Sequence, residues 1–413
     1  MQAAASRVHR SAKNPVATSI ASISQTIPAD AANTLAHRMT FQAAEFFAGI
    51  GLVRLALEKA TIAVIWANDI EVAKRDLYVA NFGEDHFELG DVRDVRASDL
   101  PDIELATASF PCTDLSLAGG RKGLNGEHSS MFWEFARVIA ELADAGRAPG
   151  MVCLENVPSF ATSAGGEDLR VAIERLNALG YACDLLVLDA RRFVPQSRPR
   201  LFIVGELDAD YAHAGWGPDD LRPAWLARFA EAHPELDLRA RKLRPPLSET
   251  ASLADVVQKL RPADPRWWEQ DRLERFVGSL SERQAKRLKG MKATSQLVWA
   301  SAYRRTREGI PRWEIRGDGI AGCLRTTRGG SAKQALVEAG RGVVRARWMT
   351  PLEYARLQGV RPTYRLGRVT PNQALFGLGD AVCVPAVAWL ARERLLPVLR
   401  EQSERAAPAA QVG

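Results

Sequence analysis

The feature that most restricts what this chain can fold into is a rhythm. From Phe41 to Gly205, short apolar runs of β character alternate with amphipathic stretches of helical period. The runs fall at 41–47, 62–67, 103–108, 151–154, 183–188 and 201–204, and helical periodicity occupies 130–144 and 168–179, the latter stopped by Gly180. Strand–helix alternation of this kind predicts an α/β domain, a mostly parallel sheet with helices on both faces. In such sheets ligands sit beyond the carboxyl ends of the strands, so residues just after each run are the candidate site.

The rhythm stops at residue 206. With 413 residues the chain is too long for one core, and a second, smaller domain is predicted over 206–345. That stretch holds six of the ten tryptophans, many prolines and no βαβ repeat. Its segment 283–312 carries Arg283, Lys286, Arg287, Lys289, Lys292, Arg304, Arg305, Arg307 and Arg312 against Glu308. A run like this is either a solvated face or a phosphate-contacting surface. Helical pattern returns from Trp348, so 346–400 is read as rejoining the first domain at 39–205. Residues 1–38 read as a disordered basic arm, a composition shared with organelle transit peptides, and 401–413 as a frayed tail. The net charge of +6 suits an anionic partner without specifying one. Five scattered cysteines, with no CxxC pair and no His cluster, argue against a zinc site or a disulfide framework and for a reducing cytoplasm. No run of about 18 uncharged apolar residues suggests a membrane span.

Three features in order point to an adenosine-containing cofactor. Gly49 and Gly51, in Phe47-Ala48-Gly49-Ile50-Gly51, follow the first strand and permit a tight turn close to a ligand. Asp69 closes the second strand, where a carboxylate can accept ribose hydroxyls. Asp91, in Gly90-Asp91-Val92, lies where an adenine amino group would be. No phosphate-cradling GxxxxGK[ST] loop is present, which points to S-adenosyl-L-methionine.

At the reacting end, Cys112 follows Pro111 just past a strand, a position where nearby positive charge can lower a thiol pKa. Cys153, inside an apolar run, reads instead as a small buried hydrophobe. Glu155-Asn156-Val157 ends a later strand and places a carboxyl in the same crevice, and Gln196-Ser197-Arg198-Pro199-Arg200 brings guanidinium groups near it.

FAGIG, Asp69, GDV, FPC, ENV and QxRxR, followed by Arg347–Gly359 and Leu378-Gly-Asp-Ala-Val382, resemble in content and order the DNA (cytosine-5)-methyltransferase family. The resemblance covers about 41–205 and 345–395. It implies a Rossmann-like methyltransferase sheet domain carrying a target recognition domain at 206–345. It implies Cys112 as the nucleophile that adds to carbon 6 of a flipped-out cytosine. Glu155, protonated in a dry pocket, would hold ring nitrogen 3, and Arg198 with Arg200 would stabilise the base and the cysteine loop. The cofactor would be lined by Phe47, Ala48, Gly49, Gly51, Asp69, Ile70, Asp91, Val92, Pro111, Asp380 and Val382. Asn156, Gln196, Arg325, Thr327, Arg328 and Gly330 would face substrate or DNA, with Asn156 bracing its loop. The glycine pair in Cys323–Gly330 also suits an ordinary turn. Departures from the family pattern are Thr113 for Gln, Asp380 for Asn, and Leu352 within Pro-Arg-Glu, which removes a charge expected to be structural. Double-stranded DNA is the implied partner of a monomer, with cognate restriction or defence proteins possible. The alternatives are a tRNA cytosine-5 methyltransferase, a non-catalytic DNA-binding homologue and a small-molecule methyltransferase.

Overall fold

The computed structural model describes residues 41–111, 131–211, 213–248, 251–307, 309–326 and 333–406. Cys112, Thr327, Arg328, Gly330 and the arm at 1–38 lie outside the described residues.

Seven strands form the central sheet in the order β3-β2-β1-β4-β5-β7-β6. They are β1 (Phe41–Phe46), β2 (Ile62–Asp69), β3 (Phe87–Leu89), β4 (Leu105–Ala108), β5 (Met151–Asn156), β6 (Tyr181–Asp189) and β7 (Pro199–Leu207). β1 to β5 pair in parallel, whereas β7 runs antiparallel to both β5 and β6. β4 and the apolar part of β5 are buried, as strands covered on both faces must be.

Helices α1 (Leu52–Leu57) and α2 (Val72–Phe82) follow β1 and β2, α3 (Met131–Asp144) precedes β5, and α4 (Glu167–Ala178) precedes β6. α3 and α4 bury Phe132, Phe135, Ile139, Leu169 and Ile173 on one face of the sheet. The other face is covered by α1 and the C-terminal helices through Leu55, Leu357, Leu378, Val387 and Leu390. The chain order reverses between β1 and β4, and the crevice at that switch point is where an open α/β sheet binds its ligand.

After two short helices, α5 (Ala224–Ala232) and α6 (Leu253–Val256), come α7 (Gln270–Gly278) and α8 (Glu282–Lys292). These pack on a four-stranded antiparallel sheet of β8 (Val298–Arg307), β9 (Ile310–Ile315), β10 (Ala335–Gly340) and β11 (Val343–Trp348), ordered β11-β10-β8-β9. Phe276, Leu288, Trp313 and Val337 form its separate core. β11 crosses the boundary expected at 345, because its pairing partner β10 lies on the other side of that line.

The chain returns through α9 (Pro351–Leu357), α10 (Pro371–Asp380), α11 (Val384–Leu390) and α12 (Leu396–Ala406). Part of the run 371–406 is apolar enough to cross a membrane, but 78% of that window is buried inside the fold. The tail expected from residue 401 is instead helical to Ala406. Glu401 pairs with Arg241 at 3.0 Å and the Gln402 amide donates to Gly150 O at 2.9 Å, contacts too distant in sequence to anticipate. Leu352 leaves α9 well anchored. The Thr350–Glu353 capping box starts the helix, and Glu353 pairs with Arg347 at 2.5 Å, both fully buried.

Candidate active site

The cofactor end is built on the turn after β1. Phe47, Gly49 and Gly51 all adopt left-handed φ (56°, 57° and 77°). At Gly49 an added Cβ would meet only the Phe47 carbonyl oxygen, at 3.9 Å, whereas at Gly51 it would lie 2.5 Å from the Phe82 ring. Gly49 therefore leaves room for a ligand, and Gly51 lets the turn close on α2. The loop is held by Asp69, whose carboxylate accepts from Gly49 N at 2.8 Å and Glu71 N at 2.9 Å. The expected ribose acceptor is thus also the brace of the glycine turn. Ala48 is buried and its N–H bonds to Asn68 O, while the Asn68 amide ties the ends of β2 and β3 together through Glu88 O and Gly90 O.

Ile70 is 61% exposed and Leu89 47% exposed beside this turn, an apolar margin suited to a flat base. Asp91 caps the turn that contains buried Val92, and its carboxyl is held below the usual range chiefly by hydrogen bonds from the Arg93 guanidinium. Val382 is buried, and Asp380, at the end of α10, is exposed and pairs with Lys74 at 3.0 Å. The uncrowded Gly49, the exposed Ile70 and the acids at successive strand ends fit an adenosine group.

The reacting end lies on β4, β5 and β7. Beyond β4, Phe110 packs against Phe132 and Phe160 and leads to half-buried Pro111, the last described residue before Cys112. Asn156 ties this segment down by donating to Phe110 O at 3.2 Å. Glu155 stands beside it, 2.7 Å from Arg200 Nε, with both side chains largely buried. Of the two arginines Arg198 is the one expected foremost, but Arg200 is the one that stands beside Glu155.

Arg198 is 2% exposed and points away from solvent, donating to Leu324 O at 2.8 Å and Asp380 O at 3.1 Å. Gln196, expected to face substrate, is fully buried, accepts from Leu324 N at 3.1 Å and donates to Leu357 O at 2.7 Å, so that its amide clamps the segment that follows Ala321. Gln334 completes the clamp through both Gly322 backbone groups. Together these groups fix the segment 322–324 and leave Arg325 exposed just beyond it.

Sequence reasoning missed two groups here. Cys323 lies 3.6 Å from Arg198 Nη1 and 3.9 Å from Arg200 Nη2. Burial opposes its ionisation, but Arg198, Arg200 and Arg325 outweigh it and hold the thiol below its ordinary range. Lys74 was invisible because its partner Asp380 is remote in the chain. Cys153, by contrast, is buried and its pKa is pushed up to about 12 by burial, as a strand hydrophobe's should be.

The sequence profile of C-5 cytosine-specific DNA methylases matches residues 41–395. The chain belongs to this family. Among curated methylases it is 33% identical to the Type II methyltransferase M.NgoBI of Neisseria gonorrhoeae over 41% of this chain and 51% of that one. It is 32% identical to M.HhaI of Haemophilus parahaemolyticus over 39% and 47%. The chain thus spans about half the length of these relatives. With M.NlaX of Neisseria lactamica, similarity extends over 88% of this chain and 99% of the other at 27% identity. Among solved structures, the Dnmt2 methyltransferase of S. pombe superposes with a TM-score of 0.57 at 17% identity, covering 88% of this chain and 99% of that one. A putative E. coli prophage DNA modification methyltransferase gives 0.53 at 17%, covering 87% and 100%. These likenesses establish a Rossmann-like methyltransferase fold.

Proposed function

We propose that this methylase transfers a methyl group from S-adenosylmethionine to carbon 5 of a flipped-out cytosine in a specific duplex DNA sequence, through a covalent bond to Cys112. The observation that carries the proposal is the Glu155–Arg200 pair at the end of β5, beside the segment that Asn156 fastens just ahead of position 112.

Cytosine carbon 5 needs activation before it can accept an electrophile. The Cys112 thiolate adds to carbon 6, forming an S–C6 bond and moving the ring's electron pair toward carbon 5. Glu155 holds ring nitrogen 3 and supplies the proton that balances this addition. Arg200 keeps Glu155 oriented and stabilises charge on the base. S-adenosylmethionine supplies an electrophilic methyl group. Loss of the carbon 5 proton then restores the ring and releases Cys112.

Residues 206–345 serve as the target recognition domain in this reading. Exposed Arg283, Lys286, Lys289, Lys292, Arg304, Arg305 and Arg307 on α8 and β8 support it, a charge pattern suited to DNA phosphates. The resemblance to Type II methyltransferases supports a role in restriction-modification.

The test is trapping on a duplex in which 5-fluorocytosine replaces cytosine, with S-adenosylmethionine present. Fluorine cannot leave as the proton does, so a denaturation-resistant adduct is expected with the native protein and none with Cys112→Ser. Glu155→Gln is expected to slow adduct formation strongly. Adducts on tRNA alone would overturn the DNA assignment, and an adduct that survives Cys112→Ser would overturn the nucleophile.

A further inference from the structure

Asp380 departs from the family's Asn, and the structure carries a matching departure. The residue closes α10, where the helix dipole already places partial negative charge, so a carboxylate there is unfavourable without a counter-ion. Lys74 of α2 supplies it at 3.0 Å, with the ammonium mostly buried and Asp380 at 38% side-chain exposure. The Lys74 ammonium also lies 5.5 Å from the centre of the Phe376 ring, one turn back along α10. α10 itself packs on the glycine turn, since a Cβ at Gly377 would fall 2.7 Å from Ile50.

We infer that Lys74 is a cofactor-binding residue, which together with Asp380 presents one cation and one anion to the zwitterionic amino-acid head of S-adenosylmethionine. The inference rests on the proposed cofactor. Asp380 suits the head's ammonium and Lys74 its carboxylate. Burial alone disfavours the Lys74 ammonium, but Asp69, Asp380 and Glu71 outweigh it and hold it protonated.

The decisive comparison uses two ligands, S-adenosylmethionine and 5′-methylthioadenosine, which lacks the amino-acid head. Their binding to the full chain is measured by calorimetry for the native protein, Lys74→Met, and the double variant Lys74→Met/Asp380→Asn. Loss of a partly buried charge partner is expected to weaken S-adenosylmethionine binding about ten-fold in Lys74→Met. Methylthioadenosine binding should stay within about two-fold, which also shows that the variant is folded. In the double variant, which removes both charges, S-adenosylmethionine binding should be weakened at least as far as in Lys74→Met, with methylthioadenosine still within about two-fold of native. Equal weakening of both ligands, unchanged S-adenosylmethionine binding in Lys74→Met, or recovery of native affinity in the double variant would each overturn the inference. A native protein that binds neither ligand would instead overturn the cofactor assignment beneath it.

Discussion

Glu45 should make this protein less stable as pH rises from acid to neutral, and Glu45→Gln should abolish that dependence. The side chain is 1% exposed on β1, two residues before the glycine turn, and neither carboxyl oxygen has a hydrogen-bond partner. Burial raises its pKa from 4.5 to about 8; Arg54 opposes the shift, while Glu58 and Asp69 add to it. The folded protein therefore keeps a proton that the unfolded chain gives up above its ordinary pKa. Stability from this group is fully present below the unfolded value and is lost as pH climbs toward the folded one. Each unit of pH inside that window is worth about 1.4 kcal/mol. Between about pH 5 and about pH 7.5, the native protein should lose about 3 kcal/mol relative to Glu45→Gln, which stays neutral throughout. Urea unfolding of both proteins across that range, followed by tryptophan fluorescence, measures the gap directly. Parallel stability profiles, or a native protein that gains on the variant with rising pH, would refute the reasoning.

Other perturbations test the remaining supports. Glu353→Ala leaves Arg347 charged and buried without its partner, and thermal unfolding should register a loss of about 3–5 kcal/mol; a loss below about 1 kcal/mol would mean the pair is not structural. A Cβ at Gly379 would fall 2.4 Å from the Arg325 carbonyl oxygen, so Gly379→Ala must displace the segment that presents Arg325. Duplex binding, read by fluorescence anisotropy, should weaken at least about ten-fold while methylthioadenosine binding persists; unaltered duplex affinity would separate that segment from DNA recognition. Arg200→Met removes one of the charges that lower the Cys323 thiol pKa, and the pH midpoint of its alkylation, followed by mass spectrometry, should move upward. An unmoved midpoint would remove Arg200 from the groups that set the thiol's acidity.

The parallel half of the sheet and the glycine, Asp69 and Glu155 positions were legible because each sits at the end of its own apolar run. What the sequence hid was long-range. β7 reads like any other buried strand, and its reversed direction is set by β5 and β6 on either side. β3 has three residues, too few to show a period. β8 looked like part of a charge run because its outer half alternates nothing apolar, although Glu314 on β9 lies 2.8 Å from Arg307. That Arg200 rather than Arg198 stands beside Glu155 is hidden for a similar reason. Which of two nearby arginines faces the carboxyl depends on the strand's start and pleat, and a motif does not record that.

The reversal of β7 has a consequence for how such a protein can change. The chain enters β7 beside Glu155 and leaves it at Leu207, against Gly150 ahead of β5, at the opposite end of the strands. Residues after 207 therefore depart far from the reacting groups, and lengthening there disturbs none of them. The return through 322–324 has no such freedom, since Gln196, Arg198 and Gln334 grip its backbone. An exchange of the intervening region with a relative can thus be joined loosely at its outgoing end. At its incoming end the graft has to bring, or keep, a backbone that this grip already fits.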